Sequence, residues 1–215
     1  MSEHEFEPVP GLPAELPAGE RMLWQGAPRW QSLSVQAFHV RKVAVYFALL
    51  AAFQAAAALA DGESLGVALA APSWVLALGL VAVSTLTLLA WLAARGTVYT
   101  VTDRRVVMRF GIALPMTVNL PFAVVESASA GRRGDGTADI ALTLARGSRI
   151  GYLVNWPNVR PWHFARPQPM LRALADGERV AALLAEALAA ATRPATDSQA
   201  TNASSPAPAP LTAAA

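Results

Sequence analysis

The sequence predicts a membrane α + β protein, in which a transmembrane hairpin of two helices precedes a small antiparallel β domain closed by a C-terminal α-helix. Two uncharged apolar segments lie close together in the first half of the chain. Short alternating segments separated by turn residues follow, and one amphipathic helix comes after them. The composition agrees, since 54% of the 215 residues are hydrophobic and only 15% are charged, whereas soluble domains carry roughly 25% charged residues.

The two apolar segments, at about residues 43–60 and 73–94, are the predicted membrane spans within a membrane region of residues 40–95. A spanning helix needs about 20 apolar residues, so the alanine-rich first segment is short for this role. Trp74 and Trp91 lie near the two ends of the second segment, where indoles meet lipid headgroups. Gln54, the strongly polar residue of the first segment, is expected to hydrogen-bond within the helix packing. The alternative is a buried helical hairpin of a soluble protein.

The charges that flank the two segments predict their orientation. Arg41 and Lys42 precede the first segment and Arg95 follows the second, while the short connection carries Asp61 and Glu63 and no basic residue. Because basic residues favour the cytoplasmic side, both termini are predicted to be cytoplasmic, with only the connection outside.

The β domain is predicted over residues 96–192 and opens with the hairpin "TVYTVTDRRVVMRFG". The segments "MTVNL", "AVVESASA", "DIALTLARG" and "RIGYLVNW" are predicted as its further strands. A helix is predicted from about Gly177 to Thr192, because its apolar residues recur every three or four positions, and Asp176 is placed to cap it. Residues 1–39 are predicted to be an acidic, proline-rich lead-in on the cytoplasmic side, and residues 193–215 a disordered tail.

The sequence contains no pattern that supports catalysis, so no enzymatic activity, catalytic residue, metal or cofactor is predicted. There is no cysteine, which excludes a thiol nucleophile and a cysteine-ligated metal. The formal charge of +2 argues against nucleic acid as a partner. The glycines of "GRRGDG" lack the lysine and the helix start of a phosphate loop, and they predict a hairpin turn.

The aromatic–proline segment, residues 155–170, is the main candidate for contact with a partner protein. Tryptophan and arginine are frequent interface anchors, and prolines reduce the entropy lost on docking. The stretch "LWQGAPRW" has the same character. The alternative is that these aromatic side chains fill the core of the domain. The candidate contact residues are Trp24, Trp30, Trp156, Arg160, Trp162, Phe164 and Arg166.

A second set of candidates consists of cations near the predicted spans that could meet anionic lipid headgroups. Each such cation contributes about 1 kcal/mol close to a membrane surface. The alternative is that they complete the orientation signal and form ordinary salt bridges. The members of this set are Arg41, Lys42, Arg104, Arg105 and Arg109.

Several stretches resemble known families. "YTVTDRRVVMRFG" resembles the opening of bacterial pleckstrin-homology-like (PH-like) domains. "GERMLWQGAPRW", "FHVRKVAVYFA" and "NVRPWHFARPQPMLRALADGERVAALLAEAL" resemble the PuhB family of photosynthetic complex assembly proteins of purple phototrophic bacteria. The resemblance implies a non-enzymatic assembly factor for the photosynthetic reaction centre, or for both the reaction centre and the core light-harvesting complex. It implies an inner or intracytoplasmic membrane location, with reaction-centre subunits or assembly intermediates and membrane lipid as partners.

Three points stay open at this stage. The small residues of both spans permit close helix approach, which is compatible with a homodimer. A bacteriochlorophyll carrier or delivery protein is one alternative function. His39 and His163 are expected to have structural or interfacial roles, and the alternative is that either ligates the magnesium of the pigment. A generic membrane-anchored PH-like protein that senses lipid or envelope state is the other.

Overall fold

The structure is a computed structural model that describes residues 11–12, 15–147 and 150–192. The predicted tail and residues 1–10 of the lead-in lie outside the described residues. The helices are α1 (Trp30–Gln36), α2 (Val40–Ala60), α3 (Leu65–Ala70), α4 (Ser73–Arg95), α5 (Tyr152–Asn155) and α6 (Gly177–Thr192). The strands are β1 (Met22–Gly26), β2 (Val98–Thr102), β3 (Arg105–Phe110), β4 (Met116–Pro121), β5 (Val125–Arg132), β6 (Ala138–Leu144) and β7 (Met170–Leu174).

Helices α2 and α4 pack against each other and form an apolar hairpin. They contain the two predicted spans, and by length and composition α2 and the stretch Leu65–Arg95 could each cross a membrane. Most of their large apolar side chains are exposed, for example Phe53 and Leu80. The Oε1 atom of Gln54 is buried and accepts no hydrogen bond from the described residues, so the predicted packing hydrogen bond is not made through this oxygen.

Gly79 is where α2 and α4 approach most closely among the glycines of the hairpin. A Cβ atom at this position would lie 2.8 Å from the Cβ atom of Phe47 on α2. Gly79→Leu is therefore expected to push the helices apart and to lower the stability of the hairpin by about 1 to 3 kcal/mol. Thermal unfolding in detergent measures the loss. Gly66→Leu is the matched control, because the nearest atom to its Cβ position, Ser64 Oγ, is 4.0 Å away; equal losses would contradict the packing argument.

The first sheet is antiparallel with the strand order β1-β2-β3-β4. Strand β1 precedes the apolar hairpin in the chain and β2 follows it, yet the two strands pair, with Gln25 opposite Thr100. The whole apolar hairpin is thus an insertion between two neighbouring strands of one sheet. The structure differs here from the predicted boundary at residue 39, because residues 22–26 are part of the β domain.

An ion pair fixes the chain that leads into β1. The guanidinium of Arg105 donates from Nε to Glu20 Oε1 at 2.8 Å and from Nη2 to Oε2 at 2.9 Å. Burial alone would raise the pKa of the Glu20 carboxyl, but hydrogen bonds from Arg105 and Thr102 outweigh it and lower this pKa. Because the folded-state pKa is lowered, the stabilisation is present above the ordinary value of 4.5 and is lost as the pH falls through the folded-state pKa.

Glu20→Gln is expected to lower the free energy of unfolding at neutral pH by about 1 to 3 kcal/mol, since a bidentate charged contact is lost. The variant should also lose less of its remaining stability than the natural protein as the pH falls below 4.5. Denaturation followed across this pH range measures both effects. The control is Glu126→Gln, which changes an exposed carboxylate and should shift stability by less than about 0.5 kcal/mol.

The second sheet has the order β5-β6-β7 and is also antiparallel, and α6 packs on β5 and β6. The predicted β2–β3 hairpin and the helix α6 are confirmed. The prediction of a strand at "RIGYLVNW" is wrong, because Tyr152–Asn155 form one helical turn, α5. The last strand is instead β7, and all five of its side chains are buried. The two sheets and α6 enclose one core that includes Tyr99, Ile140 and Leu184.

Candidate functional site

Helix α1 joins the apolar hairpin to the β domain. It contacts α4 on one side and β7 on the other. Leu33 and Phe38 pack against three alanines of the last two turns of α4, and Ala173 of β7 belongs to the same cluster. The N–H of Arg29, at the start of α1, donates to the carbonyl of Ala173 at 2.9 Å. The end of α4 is therefore held directly against the β domain rather than on a free linker.

The loop between β3 and β4 also contacts the end of α4. A Cβ atom on Gly96 would lie 2.1 Å from the carbonyl oxygen of Gly111, so the two backbones touch. Thr97 Oγ1 donates to the carbonyl of Ala93 at 2.7 Å and satisfies one of the last carbonyls of the helix. This contact places the β3–β4 loop beside the last turn of α4.

A groove of about 250 Å³ opens at this junction. We call it the junction groove. Its walls come from the end of α4, from the β3–β4 loop and from the segment around α5, and they are mainly apolar. The lining includes Ala93, Thr97, Ile112, Leu114, Val154 and Trp156.

The aromatic–proline segment lies beside the start of α2. Trp156, at the end of α5, packs edge-to-face on Phe38 with ring centroids 5.1 Å apart. Because Phe38 comes directly before His39, the residue that precedes α2, this contact joins the segment to the base of the apolar hairpin. Trp156 is 46% exposed, so about half of its surface remains accessible to a partner.

Residues 160–168 form an exposed loop, which we call the tip loop. An isolated bridge between Val159 and Pro169 closes its base, and Arg160 bonds Gln168 through both backbone and side chain. Trp162 is 84% exposed and Phe164 59% exposed. The Phe164 ring packs on Tyr152 with centroids 4.4 Å apart. The alternative that these aromatics fill the core does not fit the exposed positions of Trp162 and Phe164.

The two aromatics of the "LWQGAPRW" stretch have different surroundings. Trp24 packs against the core, and its indole Nε1 donates to Asp176 Oδ2 at 2.9 Å. This bond ties β1 to Asp176 at the start of α6, and the capping role of Asp176 stays a prediction. Trp30 begins α1 and is partly exposed. Trp24 is therefore used within the fold, whereas the tip loop presents its aromatics to the surface.

The structure does not bring the five candidate lipid-contacting cations together. Arg41 and Lys42 lie in the first turn of α2, and Arg109 pairs with Val98 near the end of α4. Arg105 lies at the other end of β3 from Arg109, about 13 Å along the strand at 3.3 Å per residue, and Arg104 lies in the turn beyond it. Arg105 binds Glu20, and Arg104 donates to the carbonyl of Gly19. The geometry therefore gives no support to headgroup contact by Arg104 and Arg105.

A buried polar network below the aromatic–proline segment was not predicted from the sequence. The Tyr99 hydroxyl donates to Asn158 Oδ1 and accepts from the N–H of Arg172. Burial raises the pKa of this hydroxyl far above its ordinary value. Burial also lowers the pKa of Arg172, although the nearby Asp139 carboxylate opposes that change. The network holds β2, β7 and the base of the tip loop in one arrangement.

The described part of the chain contains no cluster of metal ligands. His39 adopts a left-handed backbone conformation before α2, and His163 Nδ1 lies 2.8 Å from the carbonyl of Pro161. Among residues 11–12, 15–147 and 150–192, no three histidine or acidic side chains lie close enough together to hold a metal ion. The candidate site therefore consists of exposed surfaces that could contact a partner, namely the tip loop, the junction groove and the two apolar helices.

The comparisons with known proteins agree with this architecture. Residues 40–188, from the start of α2 into α6, match the family described as "Bacterial PH domain". The chain belongs to this family. The chain is also 41% identical over 193 residues to the "Uncharacterized 23.7 kDa protein in puhA 5'region" of Rhodobacter capsulatus. The alignment covers 87% of this chain and 89% of the relative. No solved structure shows significant similarity to this chain.

Proposed function

We propose that this bacterial PH domain protein is a non-enzymatic assembly factor for the photosynthetic reaction centre of a phototrophic bacterium. The observation that carries the proposal is its 41% identity, over nearly the whole chain, to a protein encoded in the 5' region of puhA. Because puhA is a photosynthetic gene, the location of the relative's gene suggests a photosynthesis-related role. We propose the core light-harvesting complex as a second complex whose assembly the protein could assist.

The proposed topology is an apolar hairpin that crosses the inner or intracytoplasmic membrane, with both termini in the cytoplasm. The insertion of the hairpin between β1 and β2 supports it, because the two strands can pair only if both ends of the hairpin return to the same side. Arg41, Lys42 and Arg95 at these ends favour the cytoplasmic side. Such a protein meets other membrane proteins in two dimensions, which raises its encounter rate with nascent subunits.

The proposed contacts with reaction-centre subunits are made by the tip loop and by the exposed sides of α2 and α4. Trp162 and Phe164 are the aromatic anchors, and Arg160 and Arg166 flank them with charge. Exposed aromatics on a loop with a fixed base lose little entropy on docking. The loop lies beside His39 at the start of α2, so it faces the level at which membrane subunits leave the bilayer.

A deletion strain in a phototrophic host tests the function. The strain is complemented with the natural gene, with the double variant Trp162→Ala/Phe164→Ala, or with the control Leu23→Ala, which truncates an exposed apolar residue on β1. Reaction-centre and core antenna absorbance are measured in isolated membranes. We expect the deletion to lower reaction-centre yield, Leu23→Ala to restore it, and the double variant to restore it only in part. A normal reaction-centre level in the deletion strain would refute the proposal.

The same cells separate an assembly factor from a pigment carrier. The protein is purified in mild detergent from the complemented strain and its absorbance spectrum is recorded. An assembly factor should bring down pigment only together with reaction-centre subunits. Stoichiometric bacteriochlorophyll without any subunit would favour the carrier.

A further inference from the structure

Four large aliphatic side chains near the end of α4 are exposed, and no other described part of the chain covers them. Ile112 and Leu114 come from the β3–β4 loop and are 52% and 79% exposed. Leu153 and Val154 come from α5 and are 84% and 59% exposed. Exposed aliphatic side chains are normal when scattered, but four on two adjacent segments form a patch that needs a partner. We call this set the collar.

The collar borders the end of α4 at the level of its last turn. Ile112, Leu114 and Val154 line the junction groove together with Ala93 of α4 and Thr97, which follows the helix. The contact between Gly96 and Gly111 fixes the β3–β4 loop at this height. The collar therefore lies next to the cytoplasm-proximal end of the proposed second span.

The same turn of α4 carries the residues that mark a membrane interface. The guanidinium of Arg95 lies over the ring of Trp91, 4.9 Å from its centroid. Indoles and snorkelling arginines concentrate where hydrocarbon meets headgroups. Because the collar lies at the height of this pair, it faces the boundary between headgroups and acyl chains.

We propose that the collar inserts into the cytoplasmic leaflet and so fixes the orientation of the β domain relative to the bilayer. The proposal rests on the membrane anchoring of the proposed function, and its partner is lipid. Inserted aliphatic side chains lose contact with water without having to order a partner protein. The tip loop, which packs on Tyr152 next to Leu153, is then held at headgroup level.

The distribution of charge favours lipid over a protein as the occupant. Residues 111–116 and 151–158, which supply the collar, contain no charged side chain, so these two segments can enter an apolar environment without burying a charge. The cations at the base of the hairpin, Arg41, Lys42 and Arg95, lie where anionic headgroups would be. Apolar insertion flanked by cations is the pattern of interfacial membrane binding.

Spin labels measure this insertion directly, because the chain has no cysteine of its own. Single variants Leu114→Cys and Val154→Cys are labelled with a nitroxide and reconstituted as full chains in vesicles of phosphatidylcholine and phosphatidylglycerol. Leu80→Cys, exposed in the middle of α4, is the lipid reference, and Arg104→Cys, at the far turn of the β2–β3 hairpin, is the water reference. The ratio of collision rates with oxygen and with a water-soluble nickel chelate reports depth.

We expect both collar labels to show an oxygen-to-nickel ratio several-fold above that of Arg104→Cys and approaching that of Leu80→Cys. Collar labels as water-accessible as Arg104→Cys, with Leu80→Cys in lipid, would overturn the insertion and leave the anchoring intact. A water-accessible label at Leu80→Cys would instead refute the anchoring itself. Collar labels that are shielded in native membranes but wet in pure lipid vesicles would also overturn the proposal, since a protein would then cover them.

Discussion

Replacing Asp139 by alanine is expected to lower the free energy of unfolding of the β domain by about 3 to 5 kcal/mol. Asp139 is 4% exposed, and its Oδ1 atom accepts the N–H of Ala173 at 2.8 Å. Its Oδ2 atom accepts from Arg133 Nε at 3.0 Å. Its charge also opposes the cost of burying Arg172. The substitution leaves a buried N–H and a buried guanidinium without their compensating carboxylate.

Chemical denaturation of the protein in detergent micelles, followed by near-ultraviolet circular dichroism, measures this loss. The matched control is Glu178→Ala, which removes the ion pair of Glu178 with Arg132. Both of these side chains are largely exposed, so the control should cost less than about 1 kcal/mol. Equal losses from the two variants would contradict the claim that burial makes the Asp139 network valuable.

Gly111→Ala is expected to destabilise the junction by about 3 to 5 kcal/mol and to displace the β3–β4 loop from α4. Gly111 has a φ angle of +140°, a region that side chains rarely adopt. A Cβ atom there would also lie 2.1 Å from the carbonyl oxygen of Leu114. Thermal unfolding measures the stability, and a nitroxide at Leu114→Cys in the same background measures the displacement as a fall in oxygen accessibility.

Gly136→Ala separates the cost of the positive φ angle from the cost of the close contact. Gly136 also has a positive φ angle, +79°, but nothing lies within 4 Å of its Cβ position. This control should therefore show only the conformational cost, about 1 to 2 kcal/mol. If Gly111→Ala cost no more than Gly136→Ala, the close approach of Gly111 to the Leu114 carbonyl within the β3–β4 loop would not limit the residue at this position.

The elements predicted well are those whose signal is local. The apolar helices were predicted because a long uncharged stretch is visible without tertiary information, and α6 because its apolar residues repeat at helical spacing. The β2–β3 hairpin was predicted from β-branched residues on both sides of Thr102 and Asp103. Each of these segments carries its own pattern, so the rest of the fold was not needed.

The missed elements depend on distant partners. Strand β1 is five residues long and is stabilised by β2, more than 70 residues later in the chain. Strand β7 contains Arg172, and a charged residue ordinarily argues against a fully buried strand. "RIGYLVNW" alternates like a strand, but the N–H of Asn155 bonds the carbonyl of Gly151 and closes a helical turn instead. Only the tertiary arrangement decides such short segments.

The candidate site was predicted in part. The aromatic–proline segment was singled out by residue type, but the sequence left open whether its aromatic side chains face the surface or fill the core. The division between Trp24, which bonds Asp176, and Trp162, which faces out, could not be predicted, because it depends on which face of the sheet each side chain meets. The collar was missed because Ile112 and Leu114 resemble any apolar strand residue. Their exposure is a property of the folded molecule.

The central claim is that an apolar hairpin crosses the membrane between two strands that pair on the cytoplasmic side. The test uses one variant that carries Gln25→Cys and Thr100→Cys, at opposite positions of β1 and β2, and a protease site at residues 61–63. The two cysteines are oxidised to a disulfide, and protease is then added to the outside of spheroplasts. We expect the external protease to cut the chain. On a gel the cut protein should run as one band without reductant, because the disulfide joins the two fragments, and as two bands with reductant. Two bands without reductant would contradict the strand pairing, and resistance to external protease would contradict the topology.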